Sequence, residues 1–160
     1  MFKLSRRLDY AILAVSHLAT RAPTSTVSAR ALADASHIPP AILANILKEL
    51  TRNGIVRSAR GVHGGYELAV SPDELSIGRL LRALEGEVRL VECVPIGVAS
   101  LSASGAVGAM NHSGSATTCQ IESTCKVKAP LRRVHQRIQE VLDEITFDQL
   151  VAEALAGREP

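Results

Sequence analysis

Cysteine is scarce in this 160-residue chain: Cys93, Cys119 and Cys125 are an odd number and too few for a disulfide framework. In a reducing compartment such thiols point to metal ligands or reactive groups rather than structural cross-links. Long apolar runs are also missing. Hydrophobic residues make up 46% of the chain, yet no segment approaches the roughly 20 apolar residues of a membrane span, and the opening MFKLSRRLDY leads into none. A cytoplasmic protein with no membrane partner is therefore expected. Catalytic signatures are lacking too. There is no phosphate-binding glycine loop ahead of a helix, no nucleophile elbow and no His-Glu pair with zinc-protease spacing, which argues against an enzyme.

What is present is a charge asymmetry hidden in a net charge of +2. Residues 1–66 hold nine Lys or Arg against three acids, a balance of +6, and the remainder holds nine against thirteen, a balance of −4. A basic first half attracts phosphate and releases counterions on binding, whereas an acidic second half is best kept away from it.

Helical periodicity organises that basic half. Ser5 can cap a helix whose apolar positions Leu8, Ala11, Ile12, Val15, Leu18 and Ala19 recur at helical spacing and end before Pro23. Ser28 opens a short helix over 29–35, and a turn through His37 and Ile38 leads to Pro39 and Pro40, which suit a first helical turn. The helix predicted over 39–52 buries Ile42, Leu43, Ile46, Leu47 and Leu50, leaving Ala41, Ala44, Asn45, Lys48 and Arg52 on the other face. Asn45 can make a bidentate contact to adenine, the alanines permit close approach, and Lys48 and Arg52 can reach guanine or phosphate. A merely solvated helix face would look the same locally.

Asn53-Gly54 closes that helix, and strands predicted over 55–59 and 66–70 flank a glycine-rich basic tip, RGVHGG. A helix-turn-helix followed by such a wing reads DNA. Arg60 is placed to enter a minor groove, His63 to touch phosphate, and Ser28, Gly61, Gly64 and Gly65 complete the candidate contact set. Ser76 starts a further helix through 84.

Composition breaks after Cys93. Of the 24 residues over 95–118, sixteen are Gly, Ala, Ser or Thr, which predicts a mobile loop. From Pro130 onward Leu131, Val134, Ile138, Val141 and Ile145 recur at alternating spacings of three and four, a short heptad seam. It suits pairing with a second copy of the chain or packing back on its own core. A last helix begins near Thr146. The expected fold is mainly α with a small β-wing: a winged helix-turn-helix domain over 1–90, a cysteine-containing loop over 91–128, and a dimerisation helix with its tail over 129–160.

These residues resemble the Rrf2 family of bacterial winged-helix regulators. The resemblance spans nearly the whole chain, through LDYAILAVSHLA at 8–19, IPPAILANILKEL at 38–50, NGIVRSARGVHGGYELA at 53–69, the IGRLLRALEG helix, the three cysteines and the ITFDQL tail. It implies a homodimer with a long crossed helix that binds palindromic operators in double-stranded DNA. It also implies an iron-sulfur cluster, of 2Fe–2S or 4Fe–4S type, held by Cys93, Cys119 and Cys125, with Asp9 of the partner subunit as fourth ligand, as in the nitric-oxide-sensing branch. Glu122 and His112 lie near the cysteines as alternative ligands, and the dipole at the start of a helix would account for Asp9 without a metal.

Two features depart from the family pattern. The 25 residues between Cys93 and Cys119 replace a usually short gap, and Lys128 stands where the iron-sulfur regulators place a ligating histidine. A protonated lysine has no electron pair to donate. The expected function is a repressor or activator modulated by a cluster that senses nitric oxide, redox state or iron-sulfur status. The alternatives are a thiol switch at Cys119 and Cys125, or an interaction module with a structural zinc.

Overall fold

Serine caps set the helix starts. A computed structural model describes residues 5–21, 25–61, 64–87 and 124–157. In it Ser5 Oγ accepts the Leu8 amide at 3.2 Å, opening α1 (Arg6–Ala19). Ser28 does the same for α2 (Ala29–Ser36) through the Ala31 amide at 3.1 Å, and Ser76 for α4 (Ile77–Glu85) through Arg79 at 3.1 Å. Between them α3 (Pro40–Arg52) starts at Pro39. The turn from α2 to α3 passes through His37, held at φ 53°, a left-handed conformation that an L-residue adopts at a cost.

Strands β1 (Val56–Ala59) and β2 (Gly65–Leu68) pair antiparallel, with Val56 opposite Leu68 and Ala59 opposite Gly65. The pairing is shorter than the runs of β-branched residues predict. Ile55 instead donates its amide to Leu50 O and lies fully buried, and Val70 falls beyond the last paired residue. Val27 adds a third edge: its amide donates to Tyr66 O at 2.9 Å, and the Tyr66 amide returns to Val27 O at 2.8 Å. Gly65 makes that approach possible, because a Cβ there would lie 2.5 Å from Val27 O.

Helix α5 (Lys128–Glu144) packs against α4, and α6 (Phe147–Ala156) packs against α1. A capping box between Thr146 and Gln149 opens α6. The junction is tied to the start of α4: Ile77 donates to Ile145 O at 3.0 Å, and Phe147 donates to Leu75 O at 2.9 Å. Phe147 is fully buried in the same core as Leu8, Leu43, Leu47, Leu50 and Leu80, so the tail completes the interior built by the first four helices. Gly78 leaves space for the Asp143 carboxylate, which accepts from Arg82 at 2.6 and 3.1 Å and ties α5 to α4.

Two expectations change. Ile42 is 40% exposed, because the stripe that faces the core runs through Leu43, Ile46, Leu47 and Leu50, one step round the helix. The heptad seam of α5 divides: Leu131, Ile138 and Ile145 are half-buried, while Val134 and Val141 are 50% and 41% exposed. The inward face also takes in Leu142 and a buried histidine, His135. The segment over 95–118 lies outside the described residues. Among those described, no helix is long and apolar enough to cross a membrane.

Candidate nucleic-acid interface and thiol site

Burial of one stripe of α3 turns the other outward. Ala41, Ala44, Asn45, Lys48 and Arg52 are all exposed on it, joined by Ile42. The helix is held from two sides near its C-terminal end. At its C-terminus Asn53 Nδ2 donates to Glu49 O at 2.9 Å and across to Ala83 O of α4 at 3.1 Å. At the α1 side Arg7 forms an ion pair with Glu49.

The wing presents Arg60 and Gly61 exposed at the end of β1, with Gly64 turning back through its amide to Gly61 O at 2.9 Å. Gly64 and Gly65 serve the backbone here, since a Cβ on either would meet a carbonyl oxygen at 2.5 Å. Ser28 is exposed but its hydroxyl is engaged as the α2 cap. Arg57 is tied to Glu67 at 2.8 Å, which leaves Arg60 as the unpaired cation of the wing among the described residues. His63 lies outside them.

Sequence reasoning missed the neighbour of this face. Arg6, Arg7 and Tyr10, from the first turns of α1, line a groove of about 580 Å³ together with Asn45, Lys48, Glu49 and Arg52 of α3. No local pattern announces it, because the groove exists only where α1 and α3 cross. At the far end of α1, His17 has its pKa lowered from the usual 6.5 by burial and by the nearby Arg21, whose Nη2 lies 3.4 Å from Nε2.

For the thiol site, Cys125 is half-buried, free and three residues ahead of α5. Asp9 is exposed in the first turn of α1, where it complements the helix dipole. Cys93, Cys119, Glu122 and His112 lie outside the described residues. Among those described, no three His, Cys, Asp or Glu side chains come together as a metal site.

The sequence model of the Rrf2 family, described as an iron-dependent transcriptional regulator, matches residues 4–153. The chain belongs to the Rrf2 family. Rrf2 proteins are transcriptional regulators, not enzymes. One relative, assigned to the HTH-type transcriptional regulators of Synechocystis sp., is 41% identical over 83 residues, 52% of this chain and 56% of its own length. The chain thus spans a little over half the length of the first curated relatives it matches. The regulator NsrR of Bacillus licheniformis is 28% identical over 93% of this chain and 92% of its own. Among solved structures, T. potens IscR superposes with a TM-score of 0.67 at 24% identity, covering 99% of this chain and 93% of that one, a likeness of fold. The Rrf2 architecture of helices with a two-stranded wing is the one described above.

Proposed function

We propose that this Rrf2 protein is a DNA-binding transcriptional regulator acting in the cytoplasm as a homodimer, with an iron-sulfur cluster adjusting its grip on a palindromic operator. The observation that carries the reading is the exposed face of α3 with Asn45, Lys48 and Arg52, together with the exposed wing cation Arg60. With α3 in the major groove, Asn45 and Ala41 meet base edges, Lys48 and Arg52 reach guanine or phosphate, and Arg60 enters the flanking minor groove. Ser28, Gly61, His63, Gly64 and Gly65 are assigned to the surrounding backbone contacts. Residues 1–90 form the DNA-binding unit in this reading, 91–128 the cluster loop, and 129–160 the dimerisation helix and tail.

Dimerisation is supported by the outer edge of α5, where Val127, Val134 and Val141 recur every seventh residue at 55%, 50% and 41% exposure. A second copy crossing there would cover them. Cys93, Cys119 and Cys125 would hold the cluster, with Asp9 of the partner subunit as the fourth ligand. When bound, it would supply iron that reacts with nitric oxide or oxidants. The family description as iron-dependent supports this assignment, as does the free thiol of Cys125. Placing Asp9 on α1 links the site to the element that buttresses α3.

The test is anaerobic purification with iron, sulfide and visible-absorption measurements, then titration of DNA binding with nitric oxide. Iron-bearing protein whose affinity changes with the spectrum is expected. Colourless, iron-free protein after reconstitution would remove the cluster. If its affinity then followed oxidant and reductant reversibly, a thiol switch at Cys119 and Cys125 would take its place. An unaltered spectrum in Asp9→Ala would remove that ligand alone.

A further inference from the structure

The geometry points to the groove between α1 and α3 as a phosphodiester-binding site in which Arg6, Arg7, Lys48 and Arg52 clasp the DNA backbone strand beside α3. This rests on the DNA-binding reading above and extends it to a helix that no recognition motif marks.

Charge is the first support. Four cations and a single carboxylate, Glu49, line a groove of about 580 Å³. Arg7 pairs with that carboxylate and cancels it. Among the described residues no acid pairs with Arg6, Lys48 or Arg52, so the groove presents uncompensated positive charge to the solvent. The volume is large for one isolated anion and suits a run of backbone, with the half-buried Tyr10 completing the lining.

Position is the second. A helix with its side chains is about 10–12 Å across and the major groove is about 12 Å wide, so a helix seated there has a phosphate rail on each side. An element packed beside that helix rests on a rail. Helix α1 packs beside α3, and Asn45, Lys48 and Arg52 belong both to the exposed face of α3 and to the groove wall. The two surfaces are continuous.

Glu49 sharpens the expectation. A bare carboxylate in this wall would repel phosphate, so Arg7 acts both as a contact and as the neutraliser of Glu49. Arg6 acts as a contact alone.

The experiment measures affinity against salt for the full-length protein on two duplexes, one selected from random sequence and one scrambled. The variants are Arg6→Ala, Arg7→Ala, and Arg7→Ala with Glu49→Gln. Each substitution removes two arginines from the homodimer and should therefore reduce the steepness of log affinity against log salt by about 1.8, at about 0.9 for each phosphate contact, equally on both duplexes. Arg7→Ala should weaken binding more than Arg6→Ala, and Glu49→Gln should recover part of that excess.

Slopes equal to the parent's overturn the inference while leaving DNA binding intact. A loss confined to the selected duplex also overturns it, by making the arginines base readers. Inorganic phosphate replacing chloride at matched ionic strength supplies a further arm. Thermal stabilisation of the parent by phosphate that disappears in Arg6→Ala, with unchanged DNA slopes, would reassign the groove to a free anion. A parent that ignores both duplexes would remove the underlying reading as well.

Discussion

Replacing Gly65 with alanine would put a Cβ 2.5 Å from Val27 O and 2.6 Å from Val27 C, both backbone atoms that no rotamer change can move aside. Relief requires the Val27 strand to separate from β2. The two hydrogen bonds joining Val27 and Tyr66, at 2.9 and 2.8 Å, would lengthen or break. At a net contribution of about 0.5–1.5 kcal/mol for each bond, the expected loss of stability is about 1–3 kcal/mol. Urea unfolding followed by circular dichroism checks it: the midpoint should fall while the dependence on denaturant stays unchanged. Gly61→Ala is the comparison, since among the described residues no atom beyond the chain neighbours lies within 4 Å of a Cβ there, and its cost comes from φ 119°. Because Val27 leads into α2 and Tyr66 into the wing, Gly65→Ala should also weaken DNA binding under conditions where the protein remains folded. An unfolding free energy within about 0.5 kcal/mol of the parent's would refute the reasoning, showing that the strand yields freely.

Phe147→Ala should destabilise the fold by about 3–5 kcal/mol in the same assay, because the ring is fully buried where the tail meets α1 and α4. His37→Gly should raise stability by up to about 1 kcal/mol, since glycine adopts φ 53° without a Cβ penalty; a loss would show that the imidazole makes a compensating contact. Val134→Glu with Val141→Glu should convert a dimer to a monomer in sedimentation, leaving the helical circular dichroism of the chain in place. The lowered pKa of His17 gives a pH dependence: the unfolded chain takes up the proton first, so stability should fall as pH drops below about 6.5. His17→Gln should remove that part of the decline.

Local physics was readable in the residues. Ser5, Ser28 and Ser76 announce helix starts because a hydroxyl two or three residues ahead of a free amide satisfies it without help from elsewhere. Asn45, Lys48 and Arg52 fall on the outward face of α3 because 3.6 residues per turn and an apolar stripe leave them no other place. The wing was readable as two short strands around a glycine-rich tip, and the family resemblance covered the rest of the chain.

Tertiary structure decided what depends on segments far apart in sequence. Ile42 has the hydrophobicity of its neighbours, yet the position of α3 in the core turns it outward. Gly65 reads as a flexible wing residue until Val27, 38 positions earlier, is seen against it. Phe147 belongs to the tail by sequence and to the core of α1, α3 and α4 by packing. The α1–α3 groove needs two helices to cross, with Arg7 meeting Glu49 over a separation of 42 residues. Periodicity and capping are properties of one segment and are written in its residues, whereas the match of one surface to another arises only once the chain has closed on itself.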